Sequence, residues 1–219
     1  MADNESRNGS TYATRAILDF MHRTHGPHDK AMARAFAVPD GIPSHQVSHD
    51  DGRMLHVVLR LAKAKKVVEI GTLAGYSAIH IARALEPGGH LWTIEFEPKH
   101  AQLARTNLAA AGLLERVTIV EGAALDMLPT LVQHGPFDAV FIDGDKPNYD
   151  RYGRWALENV RDGGLILGDN AYLFGELMED REDARAMRAF NELIAKTCDS
   201  VCAPTPDGMV IAIKRPLGR

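Results

Sequence analysis

The stretch from Lys66 to Ser77, KVVEIGTLAGYS, restricts the possible folds of this 219-residue chain more than any other. The apolar strand Val67-Val68-Glu69-Ile70 runs straight into Gly71. Gly75 closes the turn, and Tyr76-Ser77 open an amphipathic run. A strand, a glycine turn and a helix in direct succession form half of a nucleotide-binding unit. The glycines let a ligand approach the backbone, and the helix start offers unpaired N–H groups.

The spacing bears on which nucleotide. A dinucleotide fold carries G-x-G-x-x-G after its first strand, and here only Gly71-x-x-x-Gly75 is present. The tight pyrophosphate turn is therefore missing. The next strand, Leu91-Trp92-Thr93-Ile94, ends at Glu95, an acid suited to two ribose hydroxyls. A ribose clamp without a diphosphate cradle points to S-adenosylmethionine (SAM). The plain alternative is an ordinary α/β turn followed by a structural glutamate.

The pattern repeats along the chain. A helix is expected from Ser10 to about His25, with Ile17, Leu18 and Met21 on one face, and a second from Asp29 to about Ala37. Ser48 with Asp51 starts a third, whose stripe is Met54, Leu55, Val58, Leu59 and Leu61. After Glu95, Pro98 opens a helix that Gly112 stops. Further strands are expected at Val117–Val120, Phe137–Ile142 and Leu165–Gly168, separated by helices. Two strands around Pro206-Asp207-Gly208 close the chain as a hairpin. This reads as an α/β fold: a Rossmann-like, mostly parallel seven-stranded sheet, helices on both faces, and a C-terminal antiparallel hairpin at one edge. Residues 1–47 read as an N-terminal helical extension in a substrate or dimer region, and residues 48–219 as the catalytic domain.

A parallel sheet presents all its strand C-termini on one rim, where ligands bind. Asp143, Asp169 and Asn170 follow two of these strands and offer three oxygen donors, a set that selects Mg²⁺ or Ca²⁺ over soft metals. Taken singly, each could be a turn or helix cap. Lys146 lies three residues past Asp143; beside a divalent cation a lysine has a depressed pKa and serves as a general base.

The net charge of −4 gives no basic footprint for nucleic acid. No apolar run reaches membrane-spanning length, and the polar first ten residues are not a signal peptide. Cys198 and Cys202 are placed too far apart along a strand to pair, which fits a reduced, cytoplasmic setting. The histidines crowding the first quarter, His22, His25, His28, His45, His49 and His56, read as solvated faces and loops, with a metal cluster or substrate contact as the alternative.

Taken together, VVEIGTLAGYS, Glu95, Glu121-Gly122-Ala123-Ala124, FIDGDKPNY and ILGDN resemble the cation-dependent O-methyltransferases, the family of catechol and caffeoyl-CoA O-methyltransferases. Arg188-Ala189-Phe190-Asn191 and Asp207-Gly208-Met209 resemble its C-terminal signature, so the likeness runs from about Ser48 to Arg215. The resemblance implies that Glu69, Gly71, Thr72 and Ser77 hold the methionine end of SAM, Glu95 the ribose, and Ala123 the adenine edge. It puts Val47 and Asp143 beside the cofactor and makes Asp143, Asp169 and Asn170 the metal ligands. Lys146, with Asp143, is catalytic. It also implies a phenolic small-molecule acceptor and a homodimer. The chain departs from the family at Asn170-Ala171-Tyr172-Leu173-Phe174 and at Val47–Gly52, both on the substrate side. A free catechol, a larger natural product and an acyl-CoA thioester stay open as acceptors. Tyr172–Phe174 could form a lid, pack on the N-terminal helices or join a dimer interface. An NAD-type oxidoreductase, a non-catalytic nucleotide-binding module and a nucleic-acid methyltransferase are the rival readings.

Overall fold

The structure is a computed structural model that describes residues 14–216. The expected helix start at residues 10–13 lies outside these residues. Helix α1 runs Arg15–His25 from an Asx-like cap at Thr14, whose hydroxyl accepts from the Ile17 N–H. Helix α2 is Lys30–Phe36, capped by Asp29, and α3 is His49–Leu61, capped by Ser48. Then β1 (Lys66–Ile70), α4 (Tyr76–Ala84), β2 (His90–Glu95), α5 (Pro98–Ala110), β3 (Val117–Glu121) and α6 (Ala124–Leu131) alternate. They are followed by β4 (Phe137–Ile142), α7 (Tyr149–Asn159), β5 (Val160–Gly168), α8 (Glu182–Thr197), β6 (Cys198–Ala203) and β7 (Met209–Lys214).

The strands form one seven-stranded sheet in the order β3-β2-β1-β4-β5-β7-β6. The first five are parallel, and β7 is antiparallel to both β5 and β6. The closing hairpin forms one edge of the sheet, as expected, with β7 one place in and β6 outermost. The reason is burial: Val210 and Ala212 of β7 are buried in the core, whereas Asp199, Ser200, Val201 and Cys202 of β6 are exposed.

Strand alternation divides the core between two faces. Val67, Leu91, Ala139, Phe141 and Leu167 face α2, α3 and α4 residues such as Met32, Leu55, Leu59 and Ile79. Val68, Ile70, Ile94, Val140, Ile142 and Ile166 face Leu128, Tyr149, Tyr152 and Phe190 of α6, α7 and α8. Met32 and Ala35 of α2 thus belong to the main core. Helix α1 differs, for none of its residues is buried, and Ile17 and Met21 remain 49% and 41% exposed. Leu61, read as part of the α3 stripe, is also exposed, because it sits on the last turn where the chain leaves for β1.

One carboxylate ties the N-terminal edge of the sheet. Asp138 accepts hydrogen bonds from the Lys65 and Lys66 N–H groups at 2.8 and 2.9 Å and from Arg161 Nε at 2.7 Å. Burial alone would push its carboxyl up, but the Arg161 guanidinium and the two strand N–H groups hold it below its ordinary value. A depressed folded-state pKa adds stability above the unfolded value, and that stability is lost as pH falls through the folded one. Asp138→Asn is therefore expected to lower the unfolding free energy by about 1–3 kcal/mol at neutral pH. Urea titrations should show the difference from wild type closing below about pH 4.

Candidate active site

The rim is assembled by ladder hydrogen bonds that continue one step past the strands. Gly71 N–H donates to the Ile94 carbonyl (3.0 Å), Asp143 N–H to Ile70 (2.8 Å), Asp169 N–H to Ile142 (3.0 Å) and Gly122 N–H to Glu95 (2.9 Å). Four loops are thereby fixed side by side around a cavity of about 1120 Å³. Val47, Gly71, Thr72, Ser77, Glu95, Ala123, Asp143, Lys146, Asp169 and Asn170 all line it. Glu69 does not. It is wholly buried beneath the glycine turn.

At one end, Glu95 organises the glycine turn. Its Oε2 accepts from the Thr72 and Leu73 N–H groups at 3.2 and 2.8 Å, and its Oε1 accepts from Glu97 N–H at 2.9 Å. The carboxylate read as a ribose clamp therefore also holds the loop in shape. Underneath, Thr72 and Thr93 hydroxyls meet at 2.5 Å, and Thr93 Oγ1 donates to Glu69 Oε2 at 2.6 Å. Burial raises the Glu69 carboxyl to about 8, against the Ser77 and Thr93 hydroxyls, which favour its charged form. Its Oε1 has no hydrogen-bond partner of good geometry.

The other end is acidic. β4 and β5 pair in parallel with Ile142 opposite Gly168, so Asp143 and Asp169 emerge from adjacent strands. Burial raises both carboxyls, Asp169 to about 8, and the two acids and Asp51 repel one another. Asp169 Oδ1 and Asp51 Oδ1 are buried without hydrogen-bond partners. Asn170 follows at φ 55°, a left-handed conformation that asparagine tolerates. Unpartnered oxygens on close, mutually destabilising carboxylates, with an amide next to them, are a donor set that fits a hard divalent cation.

Lys146 sits on a short 3₁₀ turn, Lys146–Asn148, and reaches back to the acids. Its Nζ donates to Asp143 Oδ1 at 3.2 Å and to Tyr149 Oη at 3.1 Å. Tyr149 is completely buried, and its hydroxyl faces the Ile142 and Asp169 carbonyls, each at 3.0 Å. One hydroxyl thus joins both strand ends and the lysine. Tyr149→Phe is expected to lower kcat about tenfold or more while KM for the cofactor holds, because Lys146 loses its fixed direction. Equal kcat in the variant would remove Tyr149 from the positioning of Lys146.

Two residues escaped the sequence reading, and a loop that it left open is placed by the structure. Tyr149 stood inside FIDGDKPNY without a role, since nothing local shows that its hydroxyl crosses to β5. Asp51 read only as a capping residue. It does interact with its cap, accepting from Ser48 Oγ at 2.6 Å, but it also faces the acids across the cavity. The loop after β5, read as a lid, a segment packed on the N-terminal helices or a dimer contact, docks on the chain's own C-terminal hairpin. Ala171, Tyr172 and Phe174 N–H groups donate to Gly208 O, Asp207 O and Asp207 Oδ1 at 2.8–2.9 Å, docking this loop on the β6–β7 turn. Leu173 is buried, while Phe174, Pro206 and Asp207 line the cavity mouth.

The histidines are not simply solvated. His80 is buried and held neutral, its pKa pushed down to about 3 by desolvation. His22 stacks on His49, and His28 packs against His49 at a tilt, where α1, α2 and α3 meet. Cys198 and Cys202 are both free, the first buried and the second exposed. Among the described residues, no helix is long and apolar enough to cross a membrane.

A sheet of this order, with a cofactor-sized cavity at its parallel strand ends and an acidic pair beside the switch in strand order, defines the methyltransferase class of Rossmann-like enzymes. The family model described as O-methyltransferase matches residues 30–215. The chain belongs to this O-methyltransferase family and is an enzyme of that class. A catechol O-methyltransferase of Niastella koreensis is 42% identical over 185 residues, covering 79% of this chain and 84% of that protein. One from Mycobacterium tuberculosis is 43% identical over 172 residues, covering 78% of each. Among solved structures, an O-methyltransferase from Bacillus cereus in complex with SAH superposes with a TM-score of 0.87 at 34% identity, covering 91% of this chain and 97% of that one.

Proposed function

We propose that this enzyme moves a methyl group from SAM to one hydroxyl of a vicinal dihydroxy aromatic small molecule, with a divalent cation, Mg²⁺ in this reading. The observation that carries it is the pair Asp143 and Asp169 on adjacent strand ends, with Lys146 Nζ 3.2 Å from the first, in the cavity that the glycine turn lines. The relatives named for catechol support the acceptor class.

Asp143, Asp169 and Asn170 would hold the cation. When bound, it supplies a chelation point for two neighbouring hydroxyls and makes them more acidic. SAM brings a methyl on a sulfonium, which needs little further activation. Gly71, Thr72 and Ser77 line the methionine end, and the buried Glu69, hydrogen-bonded by the Thr93 hydroxyl, supports the turn from beneath. Glu95 and Ala123 flank the nucleoside end, and Val47 lines the same cavity beside the cofactor. Lys146 takes the proton of the acceptor hydroxyl at Nζ, directed by Tyr149. The oxygen then forms its bond to the methyl carbon as the carbon–sulfur bond breaks. Phe174 and the Pro206-Asp207 turn exclude water at the mouth. Alignment is the main device, for it can contribute roughly 7–11 kcal/mol.

We also read the protein as two functional parts, residues 1–47 shaping the substrate or dimer region and residues 48–219 carrying the chemistry, and as a cytoplasmic homodimer. The exposed apolar residues of α1 support the dimer, and the two free cysteines support the compartment. The test of the reaction is transfer from labelled SAM to caffeic acid with Mg²⁺ and with excess EDTA. Activity lost to EDTA and restored by Mg²⁺ is expected. Turnover indifferent to EDTA would remove the metal from the mechanism and leave the cofactor assignment.

A further inference from the structure

We propose that His22, His49 and Asp50 form a transition-metal site, of the Zn²⁺ class, that clips helix α1 to the start of α3 and is separate from the active-site carboxylates. His22 comes from the last turns of α1, and His49 and Asp50 are the first residues of α3. One ligand atom from each lies within 4.8 Å of the others. His22 Nε2 is 3.1 Å from the Asp50 carboxylate, and His49 Nδ1 is 3.9 Å from it.

The protonation pattern makes this a donor set rather than a chance cluster. His49 Nε2 lies 2.8 Å from the Gly26 carbonyl, a contact that requires the hydrogen on Nε2. In the neutral imidazole Nδ1 is then a lone pair. It is buried, has no hydrogen-bond partner, and points toward a carboxylate. That lone pair can be completed by a proton or by a metal ion, and His22 Nε2 already pairs with the same carboxylate at 3.1 Å. Among the described residues, Asp50 has no lysine or arginine partner in an ion pair. Arg53, one turn further along α3, lines the adjacent cleft with His25.

A backbone carbonyl on the far nitrogen is also how metal-binding histidines are oriented. Zn²⁺ bonds nitrogen and carboxylate oxygen at about 2.0–2.2 Å, so the three side chains need to close, and the His22 ring, stacked on His49 at an interplanar angle of 27°, needs to turn so that both nitrogens face one ion. Two imidazoles and one carboxylate select Zn²⁺ and its neighbours over Mg²⁺, the opposite preference to an all-oxygen set. The fourth position stays open to water. The position gives the site a purpose. Helix α1 buries none of its own residues, whereas Val47, Ser48 and Asp51, which flank the two α3 ligands, line the active-site cavity. A metal here would fix the N-terminal segment against the lip of that cavity.

The test uses tag-free, full-length protein in excess Mg²⁺, which occupies any oxygen site. Zn²⁺ binding is followed by calorimetry, and Co²⁺ binding by its visible d–d absorption. One equivalent per chain is expected in wild type and in Asp169→Asn. Binding should weaken at least tenfold in His22→Ala and in Asp50→Asn; both side chains are partly exposed, so folding should survive. Hydrogen exchange in α1 should slow with Zn²⁺ in wild type and not in His22→Ala. No binding in wild type would reduce the cluster to an imidazole–carboxylate contact and overturn the proposal. So would Zn²⁺ binding that persists in His22→Ala but disappears in Asp169→Asn, since the metal would then sit among the active-site acids.

Discussion

Asp169→Asn is expected to abolish metal-dependent methyl transfer, by roughly 10³-fold or more, and at the same time to make the metal-free protein more stable. The activity loss follows from removing one of two charged donors from the proposed cation set, which is asked for several kcal/mol of charge stabilisation. The stability gain follows from the site as it stands without the ion. Asp169 is buried, one of its oxygens has no partner, and Asp143 and Asp51 repel it. Burial raises its pKa to about 8. A carboxyl whose folded pKa is raised costs stability above its unfolded value near 4, and the cost grows until the folded value is passed. Asparagine carries no such cost. The variant should therefore unfold at higher urea than wild type by about 2 kcal/mol at pH 8, with the gap narrowing toward pH 4. Adding Mg²⁺ should stabilise wild type and leave the variant unmoved. A variant less stable than metal-free wild type at pH 8 would show that the acids are compensated in some other way.

Gly71→Ala is expected to damage both folding and cofactor binding. Gly71 adopts φ +99°, and a Cβ there would lie 2.3 Å from the Asp143 carbonyl oxygen and 2.9 Å from its carbonyl carbon. Both are backbone atoms of the neighbouring rim loop, so no side chain can swing away. Strain and displacement together should cost about 3 kcal/mol or more. Because the same contact seats the glycine turn against the Asp143 loop, SAM affinity should fall at least tenfold. Gly88→Ala is the control, for Gly88 has φ +75° but nothing within 4 Å of an added Cβ. It should cost only the backbone term, about 1 kcal/mol. Thermal melts and calorimetric titration with SAM would compare the two. Matching behaviour would mean that the Gly71 contact relaxes freely.

Much of the site was readable because its residues follow strands directly. Once β1, β4 and β5 are recognised by their apolar runs, Gly71, Asp143 and Asp169 fall on one rim whatever the side chains do. Glu69 was placed correctly in sequence but sits under the turn, not in the cavity wall, since a strand's alternation gives a face and not a depth. Leu61 failed because helical periodicity continues through a last turn that has nothing to cover it. That β7 and not β6 pairs with β5 was not legible, because a hairpin signal does not say which of its two strands the sheet accepts.

The sequence by itself determined the alternation of strands and helices, the glycine turn, the spacing of the acids and the family resemblance, because these depend on local conformation and residue order. Only the tertiary structure decided how residues far apart in the chain meet. It brought Tyr149 Oη to the Asp169 carbonyl, Asp51 to face Asp143, the loop after β5 onto the Asp207 turn, and His22 to Asp50. Such contacts depend on the twist of the sheet and the seating of each helix, which are set by the whole core at once. No short window of residues contains that information.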